Sequence, residues 1–98
     1  MRVVLLAAAA LAAAPALAQD AQGRNLAAGC AICHGTDGHA VKDSGFASLA
    51  GLDRSYLVEQ MRAFRDGKRP STVMQQLAKG YSDAQIERIA GWFAAQKR

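Results

Sequence analysis

The segment Cys30-Ala31-Ile32-Cys33-His34 places two thiols three positions apart and an imidazole directly after the second. On about one turn of helix, both sulfurs can reach neighbouring vinyl groups of a haem and form thioethers, while the histidine falls beneath the iron as an axial ligand. A thioredoxin-type dithiol would want a strand before it and a βαβ context, and neither is visible. A zinc site needs four ligands; beyond the two cysteines the chain offers His34 and His39, both too near to come from a separate element. A plain disulfide closes too small a loop to stabilise much and leaves the histidine unexplained. Covalent haem attachment through Cys30 and Cys33, with His34 on the iron, uses all three groups.

The other side of that iron has three candidate ligands, Met61, Met74 and His39. Met61 falls in the rhythm Leu57, Met61, Phe64, where a methionine is ordinary core filling. His39 follows His34 too closely for the chain to pass around a porphyrin edge. Met74 lies well downstream, soon after Pro70, in a segment able to cover the opposite face. Met74 is therefore the expected sixth ligand. A thioether donor raises the reduction potential relative to a second histidine, and two filled axial positions favour electron transfer over catalysis at the iron.

The elements that must position these groups all read as helix, so the expected fold class is all-α. A first helix is predicted from about Ala21 to Ala31, with Leu26 as its main apolar contact and the cysteines near its end. Residues 35–51, rich in Gly, Asp and Ser, read as a wrapping loop. Asp53 reads as the N-cap of a helix from Arg54 to about Asp66, which Gly67 ends. A short segment, Ser71 to Lys79, is closed by Gly80. Ser82 with Gln85 forms a capping box for the last helix. Ile86, Ile89, Ala90 and Phe93 make its apolar face, and Lys97 and Arg98 are expected at its end, where the helix dipole favours positive charge.

The whole chain has 98 residues, enough for one domain. Met1-Arg2, the apolar run Val3 to Ala14, Pro15 and Ala16-Leu17-Ala18 match a secretory signal peptide cleaved after Ala18. The run is shorter than the ~20 residues that cross a bilayer, and no later segment is apolar enough to do so. Residues 1–18 are thus expected to be a signal peptide and residues 19–98 the working domain, exported to the periplasm. A domain of that size is marginal without a staple, which a cofactor at Cys30 and Cys33 would provide. The net charge of +4 comes from basic residues scattered among acids; they read as a solvated surface or as a rim that steers a partner. Nucleic-acid binding is disfavoured by export and by the lack of an aromatic-basic motif.

Several stretches resemble class I cytochromes c, close to the cytochrome c4 and c-553 kind: residues 30–38 (CAICHGTDG), residues 48–52 (SLAGL), Tyr56-Leu57 and the closing helix. Residues 71–83 (STVMQQLAKGYSD) and 90–93 (AGWF) more specifically resemble the cytochrome subunit of flavocytochrome c sulfide dehydrogenase. The resemblance implies three main helices plus a short one around the haem, the first and last crossing where Gly23 or Ala27 meets Trp92 or Phe93. It assigns covalent haem c to Cys30 and Cys33 and iron ligation to His34 and Met74. It also implies a flavoprotein partner that oxidises sulfide and passes electrons to the haem. The alternatives are a free diffusible carrier serving another periplasmic oxidoreductase or a terminal oxidase, and a haem-free structural or thiol-redox protein. One departure stands out: Ala47 occupies the place where such proteins often have a proline whose carbonyl accepts a hydrogen bond from the axial histidine. The loop is expected to be less rigid for it, with lower stability or a modest shift in potential.

Overall fold

The computed structural model describes residues 21–98; the expected signal peptide lies outside them. Helix α1 covers residues 21–34, three residues more than the spacing implies, so Cys30, Cys33 and His34 all ride on its last turns. It stops at Gly35, whose φ of 85° is open to glycine alone. A Cβ there would stand 1.9 Å from the His39 carbonyl oxygen. A single 3-10 turn, Thr36–Gly38, follows.

Helix α2, Arg54–Arg65, begins as expected at Asp53, whose side chain accepts from the Tyr56 N–H at 3.1 Å. Its buried face differs from the Leu57, Met61, Phe64 stripe: Leu57 and Val58 are buried, while Met61 and Phe64 are half-buried. Phe64 turns its ring to the Arg69 guanidinium, 4.6 Å from the ring centre. Helix α3 is one short piece, Met74–Ala78, anchored through Ala78, which is fully buried, and braced by the Ser71 hydroxyl accepting from the Gln75 N–H at 3.0 Å.

Helix α4, Asp83–Ala94, carries the expected capping box: Ser82 Oγ accepts from the Gln85 N–H at 3.2 Å, and the Gln85 carboxamide accepts from the Ser82 N–H at 2.9 Å. Its Ile86, Ile89, Ala90 and Phe93 are all buried and join Ala27, Leu57 and Val58 in one core. Helix α1 meets α4 at Gly23, where a Cβ would lie 3.3 Å from the Arg88 carbonyl oxygen and 3.6 Å from the Trp92 Cβ. The close approach expected between the first and last helices is thus made by Gly23 against Trp92. Gln22 and Arg88 add a side-chain hydrogen bond across the same crossing.

Lys97 and Arg98 do not cap α4. The helix ends at Ala94 with Ala95 as its C-cap, and no basic residue lies in its last turn. The tail folds back instead: the Lys97 carbonyl accepts from His39 Nε2 at 2.6 Å. The Gly51 N–H donates to the Phe93 carbonyl at 2.9 Å. Arg98 lies so close that a Cβ on Gly51 would come within 2.6 Å of its Cγ. The described residues are all-α, three main helices and a short one, as expected.

Charge ties α2 to the start of α4. Asp83 meets Arg65 at 2.6 Å and Arg62 at 3.5 Å, and Arg54 reaches Glu87 at 3.0 Å. The Arg65 hydrogen bond, with its charge, holds the Asp83 carboxyl below the usual carboxylate range; the Ser55 hydroxyl does most of the same for Asp53. A carboxyl depressed by folding stabilises above its unfolded pKa and loses that contribution as pH falls through the lower folded value. Stability is therefore expected to drop below about pH 4, and an Asp83→Asn variant should show a shallower acid limb in pH-dependent thermal melts. Because these pairs are exposed, added salt should shrink the difference. Ser82→Ala should cost about 1 kcal/mol, the usual worth of an N-cap, read from denaturant unfolding.

Candidate haem site

Position and tautomer of the axial candidate are set by one bond. His34 Nδ1 donates to the Ala47 carbonyl at 2.7 Å, across thirteen residues of chain. With the proton on Nδ1, the lone pair of Nε2 is left to bind a metal. The absence of proline at residue 47 therefore does not remove the acceptor. Phe46 adds an edge-on contact, its ring centre 6.3 Å from that of His34 at an interplanar angle of 64°.

The carbonyl is carried by a short neck. The Leu49 and Ala50 N–H groups both donate to the Gly38 carbonyl, at 2.8 and 3.2 Å, and the Ala40 N–H donates to Ser48 Oγ at 3.0 Å. A Cβ on Gly38 would meet Ala50 N and Phe93 Cδ1, each at 2.8 Å. The neck is thereby pressed onto the core at Phe93, and residues 39–46 loop out beyond it.

The two cysteines are free thiols with different surroundings: Cys30 is half-buried against the core and Cys33 is exposed. Burial pushes the Cys30 thiol up in pKa. Met74 opens α3 and is half-buried, whereas Met61 packs against the core cluster. Both ring nitrogens of His39 face carbonyl oxygens, Thr36 at 3.2 Å and Lys97 at 2.6 Å. That bonding commits His39 to the tail and away from a metal.

These residues fit a haem. Large apolar side chains stand exposed around the donors: Ile32 at 87%, Val41 at 73%, Phe46 at 51%, and Val73 and Leu77, which flank Met74, at 53% and 52%. The core proper is thin, with Phe93 and Ile86 its largest fully buried side chains. Apolar surface in such quantity on so small a body calls for a covering group. A concavity of about 570 Å³ lined by Ile32, Cys33, Thr36, Val41 and Phe46 lies beside the motif. A second, of about 710 Å³, is lined by Arg54, Arg62, Lys68 and Glu87 along α2 and α4; much of its charge is paired within the fold, and it holds no candidate donor. The sequence pointed to the carbonyl of residue 47 as the partner of His34, but Ser48 and the Gly38 neck went unforeseen, because an S-L-A-G string carries no signal by itself.

No protein-family model matches the chain. It is 41% identical over 71 residues to a thiosulfate dehydrogenase electron acceptor of Thiomonas intermedia, covering 72% of this chain and 33% of that protein. It is 39% identical over 74 residues to the cytochrome subunit of sulfide dehydrogenase of Chlorobaculum tepidum, covering 76% of this chain and 66% of that one. Cytochrome c-554(548) of Halomonas halodenitrificans is 35% identical over 71 residues, which cover 69% of this chain and 84% of that protein. Among solved structures, reduced cytochrome c4 of Pseudomonas stutzeri superposes with a TM-score of 0.75 at 26% identity over 82% of this chain and 49% of that one. The chain thus spans a third to a half of the longer proteins it resembles. Fold, motif and these likenesses agree: the chain belongs to the class I c-type cytochromes, electron carriers that hold haem covalently.

Proposed function

We propose that the chain carries single electrons through one haem c in the periplasm, as the cytochrome partner of a flavoprotein sulfide dehydrogenase. The observation that carries the haem reading is the His34 Nδ1 bond to the Ala47 carbonyl, which leaves Nε2 as the metal-binding nitrogen. Cys30 and Cys33 would hold the porphyrin through thioethers, and His34 and Met74 would hold the iron. When bound, the haem supplies a one-electron iron couple, with its potential raised by the methionine sulfur. With a single C-x-x-C-H motif in the sequence, one haem per chain is the expected count. Residues 1–18, as a signal peptide, would export it.

The sulfide partner is supported by the 39% identity to a cytochrome subunit of sulfide dehydrogenase. The 41% identity to an electron acceptor of thiosulfate dehydrogenase supports a second reading, a diffusible carrier for another periplasmic oxidoreductase. Among the described residues no helix is long and apolar enough to cross a membrane, which suits either role.

Purification from native extract at low salt separates the two. A flavoprotein that co-elutes in stoichiometric amount is the expected result; a lone haem protein with no bound flavin would favour the diffusible carrier. For the ligands, ferric Met74→Ala is expected to lose the methionine-to-iron charge-transfer band and to show a lower potential, while Met61→Ala keeps both. A Met74→Ala protein with an intact band would overturn the assignment.

A further inference from the structure

The carbonyl that orients His34 belongs to an exposed alanine, so its own placement has to come from neighbouring residues. A proline would restrict φ at that position; alanine does not. Downstream, the chain is held by the Leu49 and Ala50 N–H groups on the Gly38 carbonyl. Those bonds begin two residues past Ala47. Between them and Ala47 stands Ser48, whose hydroxyl accepts from the Ala40 N–H at 3.0 Å, across the mouth of the 39–46 loop. His39, at the start of the loop, is tied to the tail through the Lys97 carbonyl at 2.6 Å; beyond Ala40 the hydrogen bonds are local, Ser44 N–H to the Val41 carbonyl at 3.1 Å and Phe46 N–H to Ser44 Oγ at 3.3 Å. Neither reaches the body of the protein.

We infer that Ser48 is a positioning residue for the axial histidine, its hydroxyl fixing the Ala47 carbonyl against His34 Nδ1 by pinning residue 48 to Ala40. The inference rests on the reading of His34 as an iron ligand. Two hydrogen bonds and one covalent link carry it: Ala40 N–H to Ser48 Oγ, the peptide bond from Ser48 to Ala47, and His34 Nδ1–H to the Ala47 carbonyl. With the first contact gone, the carbonyl swings from Leu49 with two free residues, and the bond to Nδ1 opens more often. A weaker bond at Nδ1 makes Nε2 a poorer donor, because the outer partner raises the basicity of a ligating imidazole. A poorer donor stabilises ferric iron less, so the potential should rise.

The test uses haem-loaded protein from a host competent in cytochrome maturation, comparing wild type with Ser48→Ala, Ser48→Thr and Ser82→Ala. Two quantities are read: hydrogen exchange of the His34 Nδ1–H by NMR, and the midpoint potential. Ser48→Ala should exchange that proton about fivefold faster, the factor expected for losing one ordinary hydrogen bond, and its potential should rise. Ser48→Thr keeps a γ-hydroxyl and should restore both. Ser82→Ala lowers global stability at a distant helix cap and should move neither. Unchanged exchange and potential in Ser48→Ala would overturn the inference, as would an equal change in Ser82→Ala. A His34 ring without the large paramagnetic shifts of an iron ligand in ferric wild type would instead overturn the ligand assignment itself.

Discussion

The bond from His34 Nδ1 to the Ala47 carbonyl is the constraint on which the remainder of this small protein is arranged. It joins the end of α1, where Cys30, Cys33 and His34 are presented, to a loop whose ends the Gly38 carbonyl and the Ser48 hydroxyl draw together. An imidazole on a helix end can rotate and can place its proton on either nitrogen. One carbonyl at 2.7 Å settles both questions, leaving the lone pair on Nε2 available to a metal.

Everything nearby serves to bring that carbonyl to its place. Gly35 turns the chain sharply out of α1 at a φ that favours glycine, and Gly38, lacking a side chain, fits between the Ala50 backbone and the Phe93 ring. Phe93 in turn is held by the α1–α4 crossing, where Gly23 lets two helices approach to near backbone contact. The single core formed by Ala27, Leu57, Val58, Ile86, Ile89, Ala90 and Phe93 sets the frame for the loop. The core is thin, and the apolar side chains left outside it cluster around the donors. A covalent porphyrin would complete a core that the chain alone leaves unfinished, a common solution for a domain of this length.

Much of this was legible in the sequence because its local signals were strong and agreed with one another. Ser82 with Gln85 announced the start of α4, and the apolar spacing from Ile86 to Phe93 announced its buried face. The motif Cys30 to His34 specifies its chemistry at fixed spacing and needs no tertiary information. Where tertiary contact decides, reading by period went astray. Val58 is buried and Met61 and Phe64 are only half so, because α2 is rotated to face α4 and α3 together. Lys97 and Arg98 looked like a charged helix end, yet the helix stops at Ala94 and the tail turns back to meet His39 and Gly51. The helix dipole is a small effect, and specific hydrogen bonds outweigh it. Ser48 was invisible for a different reason: its role depends on a partner eight residues away across a loop.

The proposed function requires one porphyrin joined to this chain by two sulfurs. Mass spectrometry of the exported protein from a host competent in cytochrome maturation reads it directly. The expected result is a polypeptide heavier by a single haem, with the added mass confined to the peptide containing Cys30 and Cys33. An exported chain at its bare polypeptide mass would contradict it.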